Sequence, residues 1–185
     1  MGRKNFMRDL FTTIDQLYNS PSISTWVIFN EGWGQFDSVK IANKVKSLDR
    51  TRFVDHASGW VDHNGSDFKS IHKYFSKIKI VPDKYNRPIV LSEYGGFGLL
   101  IKNHSKFKKN FSYNTFMNMT TLTENIKNLI KNNILPNLKK GLCASVYTQL
   151  SDVEEEVNGF MTYDRKIIKV NIDIIKSVND LLTLG

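Results

Sequence analysis

Apolar residues at Phe6, Met7, Leu10, Phe11, Ile14, Leu17 and Tyr18 recur at helical spacing, and Asn19-Ser-Pro21 then punctuates the chain. The pattern predicts a first helix ending just before Pro21. Trp26-Val-Ile-Phe-Asn30 is a short, nearly continuous apolar run. Such a run predicts a strand buried on both faces of a parallel sheet, and it stops at the polar pair Asn30-Glu31. Val39, Ile41, Ala42, Val45 and Leu48 mark a second helix, with Asp37 or Ser38 as its cap. Arg52–His56 and Phe68–Tyr74 are weaker strands, with Gly59 and Gly65 in the turns between them and little room for a helix.

The run Arg87-Pro-Ile-Val-Leu-Ser-Glu93 repeats the earlier design of apolar residues, then a carboxylate, then glycines at Gly95 and Gly96. A long polar segment through His104 and Tyr113 leads to a helix over Leu122–Leu135, then Pro136, then a strand over Leu142–Thr148. Ile172, Ile174, Ile175, Val178, Leu181 and Leu182 close the chain as an amphipathic helix. The succession reads as an α/β fold with a mostly parallel sheet, carried by one domain over residues 1–185.

Composition narrows the function classes. The chain has 185 residues, of which 41% are hydrophobic and 12% aromatic, enough apolar surface for a globular domain rather than a disordered one. Its 26 basic and 18 acidic residues leave a net charge of +8, which raises contact with a polyanion. The lysines are dispersed among asparagines and isoleucines, without a basic block interleaved with aromatics, so no nucleic-acid partner is expected. The charged start Met1-Gly-Arg-Lys-Asn-Phe-Met-Arg8 is unlike a signal peptide, and no apolar run reaches membrane-spanning length. The chain therefore reads as soluble, cytoplasmic and without a membrane partner. The single cysteine, Cys143, excludes an intrachain disulfide and reads as a small buried hydrophobe in Gly141–Tyr147. The acidic run Asp152–Glu156 lacks the spacing of a calcium loop and reads as a solvated or salt-bridged loop, with no metal expected.

Two carboxylates carry the candidate chemistry. Glu31 and Glu93 each occupy the first polar position after an apolar strand, and in parallel barrels active sites are built at those carboxyl ends. Glycines follow both, in Glu31-Gly-Trp-Gly34 and Glu93-Tyr-Gly-Gly96, and let the backbone turn beside a ligand. A pair of opposed carboxylates suits glycoside cleavage, one as proton donor and the other as nucleophile or base. Trp33, Trp60, Tyr74 and Tyr94 fit stacking on a sugar face. A lone glutamate after a strand also serves as a helix cap or salt-bridge partner, so spacing alone leaves both readings open.

The segment Pro21-Ser-Ile-Ser-Thr-Trp-Val-Ile-Phe-Asn-Glu-Gly-Trp-Gly-Gln-Phe-Asp37 resembles the acid/base strand of glycoside hydrolase family 2, which contains β-galactosidases, β-glucuronidases and β-mannosidases. Ile89-Val-Leu-Ser-Glu-Tyr-Gly-Gly96 is similar to the family's nucleophile segment, and Tyr147–Arg165 to its strand-eight block. The resemblance implies a partial (β/α)8 TIM barrel holding the equivalents of strands four to eight, cut from a larger enzyme. It also implies retaining hydrolysis of β-glycosides, with Glu31 as general acid/base, Glu93 as nucleophile and Asn30 on the sugar 2-hydroxyl. Tyr74 would orient Glu93, while His72, Trp33, Tyr147 and Gln149 would line the pocket. Asp55, His56 and Trp60 are further subsite candidates. His104 resembles a Gly-His-x-Trp motif, but Asn103 and Phe107 stand where glycine and tryptophan belong. The carbohydrate substrate is the expected partner, with no cofactor, and a second chain supplying the missing strands is a possible one. A noncatalytic carbohydrate-binding fragment shares the same fold expectation.

Overall fold

The computed structural model describes residues 1–74, 77–107 and 109–182. Two compact units share the chain, Met1–Ile71 with Asp83–Pro88, and His72–Pro82 with Ile89–Gly185.

In the first unit, helix α1 (Gly2–Leu17) ends where the Pro21 signal requires, and its apolar stripe meets the core through Phe6, Met7, Leu10, Phe11 and Ile14. Strand β1 (Thr25–Val27) pairs in parallel with β2 (Phe53–Asp55), Trp26 lying beside Val54. Parallel neighbours need a crossover, and helix α2 (Ser38–Leu48) supplies it. Ile41, Ala42 and Val45 of α2 pack with Trp26, Ile28, Phe29 and Val54 in one buried cluster. The ring of Phe29 stacks on Phe6 at 4.9 Å and meets Phe36 edge-on at 5.5 Å.

Two expectations change here. Asp37 does sit at the start of α2, but in a left-handed conformation (φ 46°) and without a capping bond from its side chain. The strand over Trp26–Asn30 is covered on one side only at Val27, which is 53% exposed, although Trp26, Ile28 and Phe29 are buried as an apolar run demands. Pairing continues beyond β1, since the Ile28 N–H donates to Asp55 O at 3.0 Å and the Glu31 N–H to Ser58 O at 2.7 Å. The loop after α2 is tied by Asp49, which accepts from the Trp26 indole N–H at 2.8 Å and from Arg52 at 2.6 Å. Burial alone would raise this carboxyl, but hydrogen bonds from Thr51, Trp26 and Arg52 outweigh it and hold it well below the usual carboxylate range.

Strand β3 (Lys69–Lys73) leads toward the second unit and is the first member of a sheet ordered β3-β4-β7, with β4 (Ile89–Gly95) parallel to β7 (Leu142–Thr148). Short β5 (Phe97–Gly98) and β6 (Asn114–Thr115) pair beside it. Helix α3 (Met119–Leu129) begins at Asn118, whose side chain accepts from the Thr121 N–H at 2.9 Å. It widens into a π-helical turn at Ile130–Ile134 and ends in α4 (Leu135–Leu138). Pro136 has no N–H for the preceding turn, which accounts for the loss of regular α geometry there. Helix α5 (Ile172–Asn179) is capped by Asn171, and its Ile175 and Val178 pack with Leu99, Leu122, Ile126, Ile130 and Val170.

The element order follows the sequence pattern, giving a mixed α/β fold with parallel pairing. Among the described residues the ladders form separate pieces and no closed barrel. Strand β7 is an edge strand, with Val146 56% exposed. Cys143 is exposed on it, which overturns the expectation of a buried thiol: among the described residues β7 pairs with β4 alone, and its other edge is uncovered. The acidic run also divides. Asp152 is buried against Lys169 at 2.6 Å, whereas Glu154 and Glu155 face solvent.

Candidate functional site

In the first unit, the carboxyl end of β1 carries Asn30, Glu31 and Trp33. The Asn30 Oδ1 accepts from the Ser58 hydroxyl at 2.7 Å, which fixes its amide toward the next strand. Glu31 adopts a left-handed backbone (φ 53°), a conformation that costs a residue with a Cβ about 1–2 kcal/mol. Its N–H is held by Ser58 O, and its carbonyl accepts from the Gln35 side chain. The turn that glycines were expected to permit is thus made partly by the glutamate itself. Trp33 is 80% exposed, so its indole is presented to solvent instead of serving as core.

At the end of β2, His56 is 1% exposed and fully engaged. It accepts at Nε2 from the His63 N–H at 3.1 Å, and its Nδ1 lies 2.6 Å from the Ser66 hydroxyl, which donates to Asp55 at 2.6 Å. That chain fixes the neutral tautomer with the proton on Nδ1, and burial lowers the imidazole from its ordinary value. Of the three further subsite candidates, Asp55 and His56 are buried, while Trp60 is exposed.

The second unit builds the more developed arrangement, around Glu93. Opposite Val146 of β7 lie two residues of β4, Ser92 and Glu93, because Leu91 pairs with Ser145 and Tyr94 with Tyr147. This one-residue bulge re-aims the strand at the candidate nucleophile. The Tyr74 hydroxyl donates to Glu93 Oε2, and His72 Nδ1 lies 3.4 Å from the same oxygen. Residues 72 and 74 share one face of an extended segment, so both reach one carboxylate. The Thr148 hydroxyl lies 3.2 Å from the Tyr74 oxygen; the single phenolic proton is committed to Glu93, so Thr148 donates. Burial, with the bond to Glu93, pushes the Tyr74 phenol well above its ordinary range, and it remains a proton donor.

Two expected lining residues, Tyr147 and Gln149, have packing and hydrogen-bond partners of their own. Tyr147 stacks on Phe160 at 4.7 Å, meets Tyr94 edge-on at 5.5 Å and takes the Phe97 N–H on its hydroxyl at 3.3 Å. Gln149 donates to Glu156 at 2.8 Å and to Asn158 at 2.7 Å. His104, from the altered motif, pairs with Asp164 at 2.9 Å. Thr148 was missed because the two residues chosen flank it, and alternation along β7 turns its side chain the other way. No sequence signal marked Tyr113, whose ring stacks on Tyr74 at 3.7 Å and 3°.

No protein-family model and no curated protein matches the chain. A solved structure that resembles it is the beta-glucuronidase of an uncultured Clostridium species, with a TM-score of 0.63 and 16% identity. The likeness is one of fold. It covers 96% of this chain and 36% of that one, so the chain spans little more than a third of the neighbour's length. Among the described residues no helix is long and apolar enough to cross a membrane.

Proposed function

We propose that this chain is the carboxy-terminal barrel segment of a retaining β-glycosidase of the family 2 type, acting on O-glycosidic bonds of β-glycosides. Glu93 is the nucleophile and Glu31 the general acid/base. Attack by Glu93 on the anomeric carbon forms a glycosyl ester as Glu31 gives its proton to the departing oxygen; Glu31 then takes a proton from the water that cleaves the ester. Asn30 holds the sugar 2-hydroxyl, an interaction that strengthens as the ring flattens. Trp33 offers a stacking face, and His72 and Tyr74 hold Glu93 in the attacking orientation.

The observation that carries this reading is the Tyr74 hydroxyl donating to a carboxylate set on a strand bulge, with Thr148 donating in turn to the phenol. Two hydrogen bonds in series restrict the orientation of this carboxylate, which is what a nucleophile needs and which supports the reading. A second reading is a noncatalytic carbohydrate-binding segment, for which the exposed indole of Trp33 would offer a sugar face without turnover; a partner chain supplying further strands to the barrel would serve either reading.

Incubating the purified chain with an activated fluorosugar β-glycoside decides between them. A covalent sugar adduct on Glu93, absent in Glu93→Gln, supports catalysis. Binding without an adduct supports the noncatalytic reading, and the absence of both, alone and with the remaining barrel strands added in trans, removes the carbohydrate reading.

A further inference from the structure

Tyr113 lies on the segment just before β6, far in sequence from both Tyr74 and Glu93, yet its ring is parallel to that of Tyr74 with centroids 3.7 Å apart. Contacts on two sides hold it there. Its N–H donates to Gly96 O at 3.0 Å, and two residues earlier the Phe111 N–H donates to Glu155 O at 2.8 Å while Phe111 O accepts from the Val157 N–H at 2.9 Å. Phe111 also meets the Tyr113 ring edge-on at 5.2 Å. Gly96 makes the approach possible. A Cβ at that position, where φ is +64°, would lie 2.3 Å from the Tyr113 ring.

A phenol that must present its hydroxyl to a carboxylate can rotate about two side-chain bonds, and a flat neighbour at van der Waals distance removes most of that freedom. We infer that Tyr113 is a positioning residue for Glu93, acting through the ring of Tyr74 and not by touching substrate. The inference rests on the proposed role of Glu93. Its mechanical part, that the stack fixes the Tyr74–Glu93 hydrogen bond, holds whatever the site does. Thr148 aligns the phenol oxygen from one side, and Tyr113 supports the ring from its face. The glycine pair after the candidate nucleophile thereby has a purpose beyond turning the chain: Gly96 admits the ring that steadies the carboxylate.

The test follows the Tyr74 ζ-carbon by NMR in the full chain labelled at tyrosine, with Tyr74→Phe assigning its resonance and Glu93→Gln defining its position without the charged acceptor. In Tyr113→Phe, which keeps the stack, the resonance stays at its wild-type position. In Tyr113→Leu it moves most of the way toward the Glu93→Gln position, with the Tyr94 and Tyr147 resonances unmoved as the check on folding. Tyr113→Thr takes its place if the leucine variant does not fold. An unmoved Tyr74 resonance in the folded variant overturns the inference.

Fluorosugar labelling gives the second readout. Tyr74→Phe and Tyr113→Leu each slow labelling of Glu93 roughly tenfold, and the double variant is no slower than the slower single one. Multiplied losses would mean that Tyr113 acts independently of Tyr74, and would overturn the inference. Wild-type chain that fails to label even with the remaining barrel strands present counts against the glycosidase reading alone, and the NMR result still decides the role of the stack.

Discussion

Lys169 places its ammonium 2.6 Å from Asp152 where both side chains are buried, and the same nitrogen donates to Leu99 O at 3.0 Å and Val157 O at 2.9 Å. The Gly159 N–H completes the Asp152 shell at 2.8 Å. Burial raises the Asp152 carboxyl and lowers the Lys169 amine, so each depends on the other to stay charged. Removing one partner leaves a buried charge without compensation. Asp152→Asn or Lys169→Met alone should therefore destabilise the chain by about 3–5 kcal/mol, and the double variant by less than the sum. Urea unfolding midpoints measure both.

The same loop makes Gly159 sensitive. A Cβ there would lie 2.2 Å from Asp152 N and Ser151 C, backbone atoms that cannot rotate away, whereas a Cβ at Gly2 meets nothing within 4 Å. Gly159→Ala should destabilise by at least about 1–3 kcal/mol. Gly2→Ala, in the first turn of α1, should be neutral or slightly stabilising. Thermal melts of the two variants give the comparison.

The neutral His56 predicts a pH dependence near neutrality. Its folded value lies below 6.5 because of burial, so as pH falls through about 6.5 the unfolded chain takes up the proton first. Stability should fall over that range and continue to fall until the folded form also protonates. The charged groups around it are Asp55, Asp62, His63 and Arg87. In His56→Gln the slope of unfolding free energy against pH between about 5 and 7 should flatten, even if the variant is less stable overall.

A second window lies at lower pH. Hydrogen bonds and charge from Arg87 hold Asp83 well below its usual range, as Asp49 is held by its own partners. These depressed carboxyls stabilise the fold above their unfolded values near 3.8, and that stability is lost as pH falls through the folded values. Arg87→Met should move the acid-unfolding midpoint to higher pH. Circular dichroism during acid titration reads the shift.

The legible part of the fold was the part set by local pattern. Apolar runs ending in Asn30-Glu31 and Ser92-Glu93 marked the parallel strands, whereas Pro136, expected to follow the helix, lies inside α4, because a proline is tolerated in the first turn of a helical segment. The same local logic failed at Cys143. An apolar stretch fixes a strand's conformation but not the presence of a neighbour on each side, and among the described residues β7 pairs with β4 alone. The contacts of Tyr147 with Phe160 and of Gln149 with Glu156 and Asn158 were likewise beyond local pattern, because they join β7 to a loop that follows it.

By itself the sequence determined the order of helices and parallel strands, the placing of each candidate carboxylate after an apolar run, and the pairing of His72 with Tyr74 on one strand face. Each follows from periodicities of a few residues, which neighbouring side chains decide. Only the tertiary structure decided that β4 bulges at Ser92-Glu93, that Thr148 and Tyr113 support the phenol of Tyr74, and that Lys169 stands buried beside Asp152. Those relationships join residues separated by tens of positions, and they exist because packing brings the groups together and burial makes an unmatched polar group costly.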